Sequence, residues 1–155
     1  MTPAINLAIK MNVTHTVHQY QHDPAADSYG LEAAEKLAID PAQVFKTLVL
    51  ALDDGSHCVA ILPVESKLSM KLVAKAAGAK RASMADKGDV ERVTGYVLGG
   101  VSPLGQKKHL KTLIDESAEA FKTLYVSAGK RGLEIELSPQ DLHKLVSGLF
   151  APIIA

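Results

Sequence analysis

Tryptophan is absent from this chain of 155 residues, and cysteine occurs once, at Cys58. A single cysteine excludes an internal disulfide framework and fits a reducing cytoplasm. Aromatic residues make up 5% of the chain, too few for a wide platform on which nucleic-acid bases could stack. Charge of one sign is never in excess, because 17 Lys and Arg balance 17 Asp and Glu. No global field draws the protein to nucleic acid, so binding of that kind must rest on a local patch, loop or end. No apolar run approaches the roughly 20 residues of a membrane span. The opening "MTPAINLAIKMN" is too polar and too short for a signal sequence. Internal repeats and low-complexity linkers are missing as well.

What remains is a chain 47% hydrophobic and 22% charged, the composition of a globular protein. Its length suits one domain, residues 1–155, with one sizeable core. Thr2-Pro3 reads as an N-cap with Pro at the first helical position, followed by a stripe of Ile5, Ala8 and Ile9. "VTHTVHQY" reads as a strand from Val13 to Tyr20, ended by Asp23-Pro24, with Tyr29 in the loop beyond. Leu31, Ala34, Leu37 and Ala38 mark a second helical face. "TLVLAL" and "CVAILP" flank Asp54-Gly55, the clearest hairpin signal in the chain. "SKLSMKLVAKAAGA" reads as a helix with Leu68, Leu72, Val73 and Ala76 inward and Gly78 as its C-cap. Ser83 to Asp86 resembles a capping box opening a weak helix around Val90. "GYVLGG", "LKTLID", "TLYVSAG" and "LEIELS" read as strands, and Ser138-Pro139 caps a last helix that stops at Gly148. Six or seven strands with helices at both ends, and no regular βαβ alternation, imply an α+β fold: a mixed, barrel-like sheet with flanking helices.

Few of these residues form a familiar catalytic set. "GGVSPLGQKK" nearly spells a Walker A loop, but Lys107 falls one position late and no Ser or Thr follows it for Mg²⁺. The double glycine is then either an ordinary turn or a loop whose bare backbone approaches a ligand oxygen. His15 and His18 face opposite sides of a strand, which argues against a metal site with His22. Cys58, in phase with Ala60 and Leu62, reads as a buried, inert thiol. No Ser, His and Asp stand in a triad context. Lys130 and Arg131 of "AGKRG" are either solvated or an anion-facing rim beside a pocket. Lys46 stands at the mouth of a strand between Phe45 and Thr47. It must snorkel, pair with a carboxylate, or hold a ligand in a pocket.

Taken in order, "VFKTLVL", "GGVSPLGQKK" and "YVSAGKRGLEIEL" resemble the YbaK/EbsC family of Cys-tRNA(Pro) deacylases. That family is related to the insertion domain of prolyl-tRNA synthetase, and the resemblance spans essentially the whole chain. It implies trans-editing: the release of cysteine wrongly attached to tRNA(Pro), because a proline pocket cannot strongly reject so similar a side chain. It implies the acceptor end of aminoacylated tRNA as substrate, a transient complex with prolyl-tRNA synthetase, and no cofactor, metal, membrane or DNA.

The resemblance also implies roles. Lys46 would hold the terminal adenosine phosphate or orient the aminoacyl ester, and Thr47 would line the same pocket. The Gly-x-x-x-Pro loop from Gly99 to Pro103, including Ser102, would use the backbone of Gly99, Gly100 or Val101 to hold the ester carbonyl oxygen. Tyr20 and Tyr29 would lie near the substrate, Ser127 and Gly129 at the pocket wall, and Glu134 at the family's acidic position. The substrate's own thiol would attack its ester, giving a thiolactone, so the protein needs no nucleophile. A different specificity, such as Ala-tRNA deacylation, and a non-enzymatic module for tRNA ends or nucleotides are the other readings.

Overall fold

The computed structural model describes every residue except Asp27. Short helices start where hydroxyl caps precede them. Thr2 accepts a hydrogen bond from the Ile5 amide and opens α1 (Pro3–Lys10). Ser28 does the same for α2 (Tyr29–Lys36), Ser69 for α3 (Met70–Ala77) and Ser138 for α5 (Pro139–Val146). Between the last two lies α4 (Lys87–Thr94). Such caps satisfy amides that have no partner inside the helix.

Among the described residues eight strands form two sheets. In the first, β1 (Thr16–Gln19) and β6 (Leu124–Lys130) flank β7 (Leu133–Leu137), all antiparallel. The second runs in the order β4 (Ala82–Met84), β2 (Phe45–Leu52), β3 (His57–Pro63), β5 (Lys111–Asp115), β8 (Leu149–Ala151). Its first three strands pair antiparallel, whereas β5 is parallel to both β3 and β8. A bridge between Val44 and Tyr125 joins the two sheets.

β3 is the central strand, and both of its faces are covered. Val59 and Ile61 point into the main core with Ala4, Phe45, Ile114, Val126, Ile135 and Leu142. Cys58, Ala60 and Leu62 point the other way, against Val73 and Ala77 of α3 and Ile153. That explains its unbroken apolar sequence, since a strand buried on both faces has no polar alternation.

The α+β class, the mixed sheet and the flanking helices agree with the sequence reading, but the sheets do not close into a barrel. "GYVLGG" is not a strand. Gly95 and Gly99 both take positive φ, and the Gly100 amide turns back to the Val97 carbonyl at 3.0 Å. Ser83 belongs to β4, and Asp86 precedes α4 without a side-chain cap bond. Tyr29 opens α2 instead of sitting in a loop, and that helix buries Glu32, Ala33 and Ala34 while Leu31 is exposed. Leu68 lies before α3, whose buried residues are Val73, Ala74 and Ala77.

Ile61→Ala tests the central position of β3. It should lower the unfolding free energy by about 2–5 kcal/mol, the usual cost of emptying a fully buried aliphatic site. A urea midpoint unchanged from the wild type would contradict this packing.

Candidate functional site

A cavity of about 430 Å³ opens where five parts of the chain meet. The start of β2 gives Phe45, Lys46, Thr47 and Leu48, and the start of α2 gives Ser28, Tyr29 and Gly30. The 98–101 loop gives Leu98, Gly99 and Val101, while Tyr20, Ser127, Arg131 and Glu134 close the remaining wall. Ser127 and Glu134 are directly paired across β6 and β7, so their side chains share one face of that sheet.

The Lys46 ammonium donates to the Ser66 carbonyl at 2.7 Å. Burial lowers its pKa from the ordinary lysine value. It forms no carboxylate ion pair among the described residues. One hydrogen bond fixes the head group and leaves two N–H bonds for a ligand. Thr47 beside it has a buried hydroxyl with no partner.

Elsewhere in the wall, the loop approaches the β6–β7 hairpin closely. A Cβ on Gly100 would lie 3.1 Å from the Lys130 Cα. One on Gly99, whose φ is +94°, would meet Arg131 and the Tyr29 ring at 3.0–3.2 Å. Only glycine fits here. Among the described residues the amides of Gly99 and Val101 donate no hydrogen bond, whereas that of Gly100 is taken by Val97. Both residues line the cavity, so two backbone donors without a partner belong to its wall residues.

The Arg131 guanidinium lies 3.8 Å over the Tyr29 ring. Its Nε and Nη2 have no acceptor among the described residues. Glu134 is buried, with no side-chain hydrogen bond or ion pair among those residues. Desolvation pushes its carboxyl up to about 8, so it is mostly neutral at pH 7. Burial, followed by the Glu134 charge, raises the Tyr20 phenol above its ordinary pKa.

The structure brings together Tyr20, Tyr29, Lys46, Thr47, Gly99, Val101, Ser127 and Glu134. Gly100, Ser102, Pro103 and Gly129, expected in the pocket, do not line it. Ser102 accepts from the Leu104 amide at 3.2 Å. Gly129, at φ +104°, leaves room for the Tyr96 ring. Phe45, Leu48, Leu98, Ser28 and Gly30 complete the wall, although the sequence gives no sign of their role. Arg131 was legible only as one of two readings of "AGKRG". The histidines are engaged elsewhere: His18 with Glu136, His22 with Glu32, and His15 with the Val13 carbonyl. Cys58 is buried, its thiol pushed up to about 11 by desolvation.

No Ser–His or Cys–His pair lines the cavity among the described residues. The cavity is thus lined by two cations and by residues whose amides and hydroxyl have no partner among the described residues, groups suited to an oxygen-rich ligand. Residues 23–145 match the aminoacyl-tRNA editing domain, and the chain belongs to that family. EbsC of Enterococcus faecalis (strain ATCC 700802 / V583), named as a candidate Cys-tRNA(Pro)/Cys-tRNA(Cys) deacylase, is 39% identical over 149 residues, 94% of this chain and 91% of EbsC. YwhH of Bacillus subtilis (strain 168), a protein of uncharacterised function, is 27% identical over 113 residues, 73% of this chain and 71% of YwhH. The crystal structure of a candidate trans-editing enzyme for prolyl tRNA synthetase shares the fold, with a TM-score of 0.84 and 20% identity. That likeness covers 100% of this chain and 99% of the other.

The burial of Glu134 has a thermodynamic signature. Unfolded, it loses its proton near its ordinary pKa of 4.5; folded, it keeps the proton up to about 8. Between these values the folded state binds more protons, so stability falls as pH rises and levels off above the window. Glu134→Gln should remove this slope. It should match the wild type near pH 4 and exceed it at pH 9 by on the order of a few kcal/mol. Urea unfolding at the two pH values checks this, and equal slopes would refute it.

Proposed function

We propose that this protein is a trans-editing deacylase that releases cysteine from mischarged tRNA(Pro) in the cytoplasm, in transient complex with prolyl-tRNA synthetase. The observation that carries the reading is a cavity lined by a tethered lysine and by two residues whose amides have no partner, with no nucleophile–base pair among its described residues. Membership of the editing family and the likeness to EbsC support the substrate class.

In this reading the terminal adenosine and its aminoacyl ester enter between β2 and the 98–101 loop. Lys46 holds the 3′ end, and Thr47 lines the pocket beside it. The amides of Gly99 and Val101 receive the carbonyl oxygen, which becomes an oxyanion as the ester is attacked. One such donor is worth about 2.7–4 kcal/mol in other acyl-transfer enzymes. The substrate thiol gives its proton to solvent water, and its sulfur attacks the ester carbon. The C–O bond to the ribose breaks, and the 3′ oxygen takes up a proton. The products are a cyclic thiolactone, later opened by water, and free tRNA. Tyr20, Tyr29 and Ser127 confine the aminoacyl group so that sulfur and carbonyl stay within reach. Glu134, mostly neutral, offers a carboxylic O–H that can pass a proton to the departing oxygen. Alanine and serine carry no thiol, so they resist this route even when they fit.

The test is deacylation of Cys-tRNA(Pro) beside Ala-tRNA(Pro) and Ser-tRNA(Pro), by the wild type and by Lys46→Ala. Cysteine alone should be released quickly. Lys46→Ala should slow release by at least about tenfold, the loss expected for one hydrogen bond to a charged group, with the unfolding midpoint nearly unchanged. Faster release of alanine would overturn the specificity. Full activity of Lys46→Ala would remove this residue from the site.

A further inference from the structure

A second, more open cavity of about 820 Å³ adjoins the first. It lies toward the upper end of the range for ligand sites, about 300–1,000 Å³. Tyr20 and Arg131 line both cavities and form their common wall. The Tyr20 amide donates to the Gly132 carbonyl at 2.9 Å, which ties this wall to the β6–β7 turn. Beyond it, Val17 and Gln19 stand two apart on β1 and so share one face of the sheet. Gln21 and Lys130 flank them, and Ile5 of α1 lines the far side.

We propose that this second cavity holds the unpaired nucleotides that precede the terminal adenosine of the acceptor strand. The inference rests on the reading of the first cavity as the site of the aminoacylated 3′ end, and goes beyond it by giving the strand a path. Continuity is the first reason, because a chain whose last residue occupies the first cavity can leave it past Tyr20 and Arg131. Charge is the second. Lys130 and Arg131 line the groove, and no carboxylate does among its described residues, although the chain as a whole is neutral. Chemistry is the third: exposed Val17 offers an apolar floor, the two glutamines offer amide donors and acceptors to base edges, and Tyr20 offers a ring for stacking. Arg131, held over the Tyr29 ring at the wall shared by both cavities, brings a positive charge to where a phosphate would cross from one to the other.

The probe is an uncharged RNA hairpin copying the acceptor stem and ending in single-stranded CCA, with binding followed by fluorescence anisotropy over a range of salt. Lys130→Glu and, separately, Gln19→Glu change exposed side chains of the groove that do not line the first cavity. Each should weaken binding by about tenfold or more, and Lys130→Glu should also lower the salt slope by about one. The same hairpin trimmed of its three unpaired nucleotides should bind the wild type no better than the intact hairpin binds the variants. Variants that bind within about twofold of the wild type, or a trimmed hairpin that binds as tightly as the intact one, would overturn the proposal. Turnover is not part of this readout. A wild type that binds the CCA end but releases no cysteine would overturn the deacylase reading and leave the groove in place.

Discussion

Backbone lies almost directly on backbone where the 99–101 loop meets the β6–β7 turn, and the candidate site depends on that contact. A single methyl group on Gly100 would press on the Lys130 Cα, and one on Gly99 would displace Arg131 or Tyr29. The same approach sets Gly99 and Val101 in the cavity wall beside Arg131, which lies over the Tyr29 ring. A bulkier loop would separate these parts. The glycines thus matter less for flexibility than for the space they leave empty.

Around that contact each charged group is held differently. Lys46 is tethered to a carbonyl, Arg131 is stacked on an aromatic face, and Glu134 is buried deeply enough to stay mostly neutral at pH 7. In a partly dry cavity such fixed groups act on a ligand more strongly than they would in water. They need no reorganisation when charge develops on the substrate. This suits a protein that positions a reactive molecule, and it accounts for a site with no paired nucleophile and base. Cys58 plays no part in it. The thiol is sealed between β3 and its neighbours, and its raised pKa keeps it protonated.

Much of this was legible in the sequence where local rules and tertiary structure agree. The β2–β3 hairpin follows from two apolar runs around Asp54-Gly55, and the capped starts of α1 and α5 follow from Thr2-Pro3 and Ser138-Pro139. The three-residue strands β4 and β8 were not legible, because strands so short are fixed by their neighbours and not by their own pattern. "GYVLGG" misleads because its apolar residues serve different ends: Tyr96 is buried with its hydroxyl on the Leu104 carbonyl, while Val97 and Leu98 are exposed. In the site, Lys46, Thr47, Ser127 and Glu134 were traceable through motifs. Phe45, Leu48 and Leu98 were not, since an apolar residue that lines a cavity looks like one that fills a core. The buried state of Glu134 was equally hidden. Alternation within "LEIEL" treats Glu134 and Glu136 alike, yet Glu134 is sealed in the wall while Glu136 bonds Thr123 and His18 at the edge.

The central claim is that the substrate supplies the attacking sulfur, while the protein supplies geometry, fixed charge and a proton for the departing oxygen. The most direct test compares tRNA(Pro) charged with cysteine and tRNA(Pro) charged with S-methylcysteine. The account predicts rapid release of cysteine and release of S-methylcysteine no faster than in buffer, with the S-methyl substrate competing for the site. Release of both at similar rates would mean that water or a protein group attacks the ester, and would contradict the account.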